Sequence, residues 1–267
     1  MLDSVQFTDI AAGVPFVAVP PIHERSDAPV VVAWHLMDPP STEAALAAAL
    51  PLTGLDAWRI YLGLPETGAR SPGAEESMRR GYEDAVVNMF GPITDQAAAE
   101  FPGAYDALRA RLGFDGPLAV VGGSLGAAVA QLVAIERADV VAMALVSPVA
   151  RLRAIVAANE RRFGVTYAWH PAAEQIADRL DFVARADETT RHAPAVQIIV
   201  GGLDDEGIRT SAADLHDALA KQYSDPSRVD LITVPGMPHA LADGPDETPT
   251  PHAAEVDRLM VDWLRRH

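Results

Sequence analysis

The chain has 267 residues, 49% of them hydrophobic and 22% charged, enough for one sizeable α/β core. A formal charge of −16 at pH 7 argues against a nucleic-acid partner, whose phosphates call for a basic surface. The absence of cysteine removes disulfides, thiolate nucleophiles and Cys-based zinc sites, so any nucleophile must be an oxygen or an amine. Only one lysine, Lys221, is present to carry amine chemistry, and it falls near an exposed helix end. No apolar run is long enough to span a membrane, and no export signal opens the sequence, so a cytoplasmic location is expected.

In chain order, residues 5–20 read as two strands joined near Ala12-Gly13. A polar loop leads to a buried strand, Pro29 to Trp34, which ends in His35-Leu36-Met37. Ser41 is expected to cap a short helix over 42–50, followed by a strand over 57–62 and a turn-rich loop, Gly63 to Ser71. Residues 75–111 read as helical with a break at Phe101-Pro102-Gly103. Strands follow over 118–121, 140–146, 195–200 and 229–234, with helices over 125–137 and 210–223. Pro251 opens a final helix in the position proline favours. This alternation predicts one domain over 1–267, a mostly parallel, doubly wound sheet covered on both faces. Residues 149–193 hold more helix than one crossover needs, over 151–162 and 171–185, and are expected to form a small cap.

The chemistry concentrates in Gly122-Gly123-Ser124-Leu125-Gly126, a G-x-S-x-G between the apolar run Leu118–Val121 and a small-residue helix. A serine in so sharp a strand-to-helix turn needs almost no side chain on either flank. Gly122 and Gly126 supply the room, and Ala127, Ala128 and Ala130 let the helix lie close to the sheet. The hydroxyl then stands at the positive end of a helix.

A serine hydroxyl needs a base within reach, and the base needs a partner that fixes its tautomer. Reacting groups of parallel sheets gather at the carboxyl ends of strands. Of eight histidines, only His35 and His239 stand just beyond a buried strand. His239 lies in a loop able to swing over the sheet and is the expected base, whereas His35 is expected to hold a loop by hydrogen bonds. Asp204 and Asp205 both follow the strand over 195–200; Asp204 is the preferred acid, with Asp205 as the alternative. Phe163, Tyr167, Trp169 and His170 either line a pocket under the cap or pack the cap onto the sheet.

Three further motifs follow strand ends: Pro65-Glu-Thr-Gly-Ala-Arg-Ser71, Gly201-Gly-Leu-Asp204 and Pro235-Gly-Met-Pro-His239. Together with the elbow, in this order, they resemble the α/β-hydrolase fold along nearly the whole chain. The resemblance implies acyl transfer through Ser124, Asp204 and His239, without a cofactor or metal, on a small-molecule ester or related acyl substrate. It also implies an oxyanion site made by the backbone N–H groups of Met37 and Leu125. The family often carries His-Gly where this chain has His35-Leu36. Leucine tolerates positive φ poorly, so the loop is open to a different course, with Leu36 as the donor. Thioesterase, peptidase, acyltransferase, cofactor-free peroxidase and lyase chemistry share this apparatus, and the fold also serves as a non-catalytic binding module.

Overall fold

In the computed structural model, which describes residues 6–23 and 25–267, the first two strands form the expected hairpin, β1 (Phe7–Ala11) and β2 (Val14–Val19). Val5, the first residue of the expected hairpin, lies outside the described residues. The remaining large strands are β3 (Val30–Trp34), β4 (Trp58–Leu62), β5 (Leu118–Gly123), β6 (Val140–Val146), β7 (Ala195–Gly201) and β8 (Val229–Val234). They form one eight-stranded sheet in the order β1-β2-β4-β3-β5-β6-β7-β8. Pairing is antiparallel for β1–β2 and β2–β4 and parallel from β4 to β8.

The central strands are buried on both faces, which accounts for their unbroken apolar sequences. Side chains alternate along β3: Val30, Val32 and Trp34 join one core, and Val31 and Ala33 join the other. The first core lies under α3 (Gly91–Leu112), α4 (Leu125–Glu136) and α8 (Glu206–Ala220). The second lies under α1 (Glu43–Ala49) and α9 (Pro251–Leu264). Among the described residues no helix is long and apolar enough to cross a membrane.

Several element boundaries differ from expectation, each for a packing or hydrogen-bonding reason. The expected break at Pro102 is absent, and α3 runs through it. Phe101, Ala104, Tyr105 and Leu108 form a buried stripe on this helix, with Trp34 edge-on to Phe101 at 5.2 Å. That burial outweighs the roughly 3 kcal/mol that an interior proline costs a helix. The chain instead leaves helical geometry at Asp84, near the end of α2 (Ala74–Ala85) and just ahead of a π-helical turn over Val86–Phe90. The Asp84 carboxylate accepts from the Val86 and Val87 N–H groups, both at 3.0 Å, and so caps the new turn.

Thr42, not Ser41, caps α1, accepting from Ala45 N–H at 3.1 Å. Ser41 is bonded to the Glu247 carboxylate instead. Glu247 lies between two short paired strands, β9 (Ala242–Asp243) and β10 (Thr248–Pro249).

Residues 149–193 contain α5 (Leu152–Phe163), α6 (Pro171–Arg179) and a single turn, α7 (Ala186–Thr189). The second helix stops at Arg179, six residues short of the expected end. The chain there turns to pair with the start of α5: Phe182 N–H donates to Ala150 O at 2.9 Å, and Leu152 N–H to Leu180 O at 3.2 Å. Leu180 and Phe182 are thereby fully buried. At its other end the sheet feeds α8 four residues earlier than expected, because Asp205 caps it by accepting from Gly207 N–H at 2.8 Å.

Candidate active site

Ser124 joins β5 to α4 with φ 47° and ψ −114°, a backbone that a residue with a side chain rarely adopts. The turn holds because both flanks are bare. A Cβ on Gly122 would lie 2.3 Å from the Gly126 carbonyl oxygen, and one on Gly126 would lie 2.4 Å from the carbonyl oxygens of Trp34 and His35. The α4 backbone therefore rests directly on the end of β3, with Ser124 held at the top of the sheet and 6% exposed.

The loops after β7 and β8 bring two further side chains to this point. His239 Nε2 stands 2.9 Å from Ser124 Oγ. His239 Nδ1 stands 3.1 and 3.0 Å from the two carboxylate oxygens of Asp204. With Nδ1–H donating to the carboxylate, Nε2 is left as an acceptor for the serine proton. Burial is the largest single influence on His239 and pulls its pKa down. The hydrogen bond and charge of Asp204, with the charge of Asp38, outweigh burial and leave it raised above the ordinary 6.5.

Asp205 is engaged elsewhere. Besides capping α8, it holds Arg161 through contacts of 2.5 and 3.2 Å. The buried neighbour, Asp204, alone faces His239, and its Oδ1 also accepts from Asp205 N–H at 2.8 Å. Were these three groups to work as a catalytic triad, Asp204→Asn would reduce kcat about 10⁴-fold, by favouring the wrong imidazole tautomer. Asp205→Asn should cost less than about ten-fold and act mainly on stability, through the helix cap. Parallel kinetics and melting curves of the two variants check this.

His35 is fully buried and its pKa is pulled down to about 4, chiefly by that burial, so it stays neutral near pH 7. Its Nδ1–H donates to Leu36 O at 2.6 Å, and its Nε2 accepts from Leu64 N–H at 3.1 Å. These bonds tie the loop after β3 to the loop after β4. In the former, Leu36 does not take positive φ; its side chain packs beneath Gly123, and its N–H is spent on Pro40 O at 3.2 Å. Among the described residues the N–H groups of Met37 and Leu125 have no acceptor within the protein, and both residues border the Ser124 cavity. The same loop is tied to the His239 loop, since Leu241 and Ala242 N–H both donate to Pro39 O.

A cavity of about 380 Å³ opens over Ser124. Leu152 and Ile155 of α5, Val149, Phe90 of the π turn and Ile208 of α8 supply its apolar walls, while Asp38 and Arg162 stand among its polar ones. The aromatic group of residues 163–170 divides between its two expected roles. Phe163 borders the cavity, whereas Tyr167 and Trp169 pack edge-to-face at 4.9 Å. Tyr167 donates to Asp84 at 2.6 Å, and His170 Nε2 lies 2.7 Å from the same carboxylate. Phe90 and Asp84 have no signature as site residues in the sequence, although an aspartate ahead of Val86-Val87 is a helix-cap signal. Among the described residues no group of three or more metal-ligating side chains stands together.

No protein-family model matches the sequence, nor does any curated protein. Solved structures do match. TT1662 from Thermus thermophilus superposes with a TM-score of 0.69 at 16% identity, covering 99% of this chain and 98% of that one. A cold-adapted esterase from an Arctic intertidal metagenomic library gives 0.61 at 19% identity over 98% of this chain and 92% of that one. The chain has the α/β-hydrolase fold. A puromycin-hydrolyzing peptidase of Mycobacterium tuberculosis carries the α/β-hydrolase likeness as well, with a TM-score of 0.65 at 18% identity. There it covers 96% of this chain but 38% of that longer one. In α/β-hydrolase terms, Ser124 stands at the elbow after β5, Asp204 after β7 and His239 after β8.

Proposed function

We propose that the protein is a serine hydrolase that cleaves the carboxylic ester of a small molecule through an acyl-enzyme on Ser124. The observation that carries this reading is the single chain of contacts Ser124–His239–Asp204, converging at a strained elbow beneath a cavity. A structural serine has no need of a buried, carboxylate-oriented imidazole at hydrogen-bond distance.

In the proposed reaction Ser124 Oγ attacks the ester carbonyl as its proton passes to His239 Nε2. The Met37 and Leu125 N–H groups receive the oxyanion, and each such donor typically contributes about 3 kcal/mol to the transition state. Asp204 holds the imidazolium without taking its proton. The C–O bond then breaks, with the leaving alkoxide protonated by His239. Water repeats the sequence on the acyl-enzyme, releasing the acid and restoring Ser124. The cavity lies at the small end of the roughly 300–1,000 Å³ typical of ligand sites, which suits a compact ester better than an extended polypeptide. Residues 149–193 act in this reading as a cap, because α5 supplies a wall of the cavity.

The test is hydrolysis of short-chain aryl esters across pH. His239 must be neutral to act as base, and its pKa is raised, so kcat/KM should climb with pH along a limb centred above 6.5. Removing a negative charge near His239 should move this limb down, as in Asp38→Asn. Removing a positive one should move it up, as in Arg162→Ala. An ester-hydrolysis rate that is independent of pH between 5 and 9 would overturn the role given to His239.

A further inference from the structure

We propose that Arg162, with Asn159 one turn before it on α5, binds a carboxylate that the substrate carries away from its ester bond. The inference rests on the reading of this cavity as an acyl-substrate site and names the class of substrate: half-esters and other esters bearing an acid. Among the described residues, Arg162 is the only arginine or lysine that borders the cavity. Its neighbours along and just before α5 are all committed. Arg151 is paired with Asp181 and Asp214, Arg153 with Glu174 and Asp178, and Arg161 with Asp205. Among the described residues Arg162 has one carboxylate partner, Asp38, at 3.8 Å, beyond hydrogen-bond length; its guanidinium lies over the Phe163 ring, 5.4 Å from the centroid, and it donates no hydrogen bond within the protein.

The cavity's carboxylates leave the same vacancy. Asp204 is held by His239 and Asp205 by Arg161, so Asp38 alone competes for the Arg162 guanidinium. An exposed pair this long contributes little, and a carboxylate that meets the guanidinium edge-on with two N–H···O bonds displaces it readily. Asn159, on the same face of α5 and bordering the same cavity, adds an amide donor. The rest of that wall is apolar, through Leu152, Ile155 and Ala158, so the two polar side chains fix where the charged end of a substrate lies. The cavity is bordered by Asp38, Asp204 and Asp205 as well, so an anion is held there by direct contact with the Arg162 guanidinium rather than by the overall field of a chain of net charge −16.

Binding is measured on the Ser124→Ala protein, which keeps the cavity and cannot turn the probe over. Monoethyl glutarate is titrated against ethyl methyl glutarate, its neutral twin. The charged probe should bind about ten-fold more tightly at low salt, with the preference shrinking at high salt. Adding Arg162→Lys should leave a reduced preference, because a point charge replaces the fork, and adding Arg162→Glu should reverse it. Equal affinity for the two probes, no binding of either, or a preference that survives Arg162→Glu would overturn the proposal. The two readings fail separately. A Ser124 inert to a fluorophosphonate would remove the hydrolase reading and leave an anion preference standing. A reactive Ser124 with equal binding would do the opposite.

Discussion

Replacing Ser124 with alanine is expected to lower kcat/KM for any hydrolysed ester by about 10⁴-fold or more, while the protein stays folded. Both side chains have a Cβ, so alanine carries the same strain at φ 47°. What the variant loses is the hydroxyl and its contact with His239 at 2.9 Å, about 1 kcal/mol of stability. Ser124→Gly separates the two effects. It is equally inactive, but it relieves a backbone conformation that costs about 1–3 kcal/mol for a residue with a side chain. Urea unfolding should therefore show the glycine variant at least as stable as the alanine variant. Activity remaining within ten-fold of wild type in either variant would place the chemistry elsewhere.

The second large effect is on stability. Gly126→Ala places a Cβ 2.4 Å from two backbone carbonyl oxygens, those of Trp34 and His35, and neither can rotate away. Helix α4 must lift from β3, opening the layer that holds Trp34 and distorting the loop that carries Met37. A loss of about 3 kcal/mol or more is expected, seen as a lower urea midpoint, together with loss of activity in whatever folds. Gly123→Ala provides the contrast. Its Cβ meets side-chain rather than backbone atoms, Leu36 Cδ1 at 2.2 Å and Cγ at 2.7 Å, so the cost should be smaller although Leu36 is buried and must shift. Equal midpoints for the two variants would show that the contact of α4 with β3 is not what fixes the elbow.

The parts of this site readable in the sequence are those whose constraints are local. The elbow needs its glycines within two residues of Ser124, and the other loops follow strands that are continuous apolar runs, so Ser124, Asp204 and His239 all stand at recognisable strand ends. Two choices depend on residues distant in sequence. Asp205 differs from Asp204 because Arg161, forty-four residues earlier, holds its carboxylate. Leu36 differs from Met37 because the chain folds back to place Pro40 O on the Leu36 N–H. Helix boundaries fail for the same reason. Pro102 reads as a breaker until the stripe around Phe101 is packed on Trp34, and Arg185 reads as helical until Phe182 pairs with Ala150.

The most direct test of the account is to treat the folded protein with a fluorophosphonate and locate the adduct by mass. The expected result is a single adduct on Ser124 in the wild type and none in His239→Ala, because the serine is reactive only with a base at its hydroxyl. A folded wild-type protein that forms no adduct, or one that labels equally without His239, would contradict the catalytic reading and favour a binding module built on the same fold.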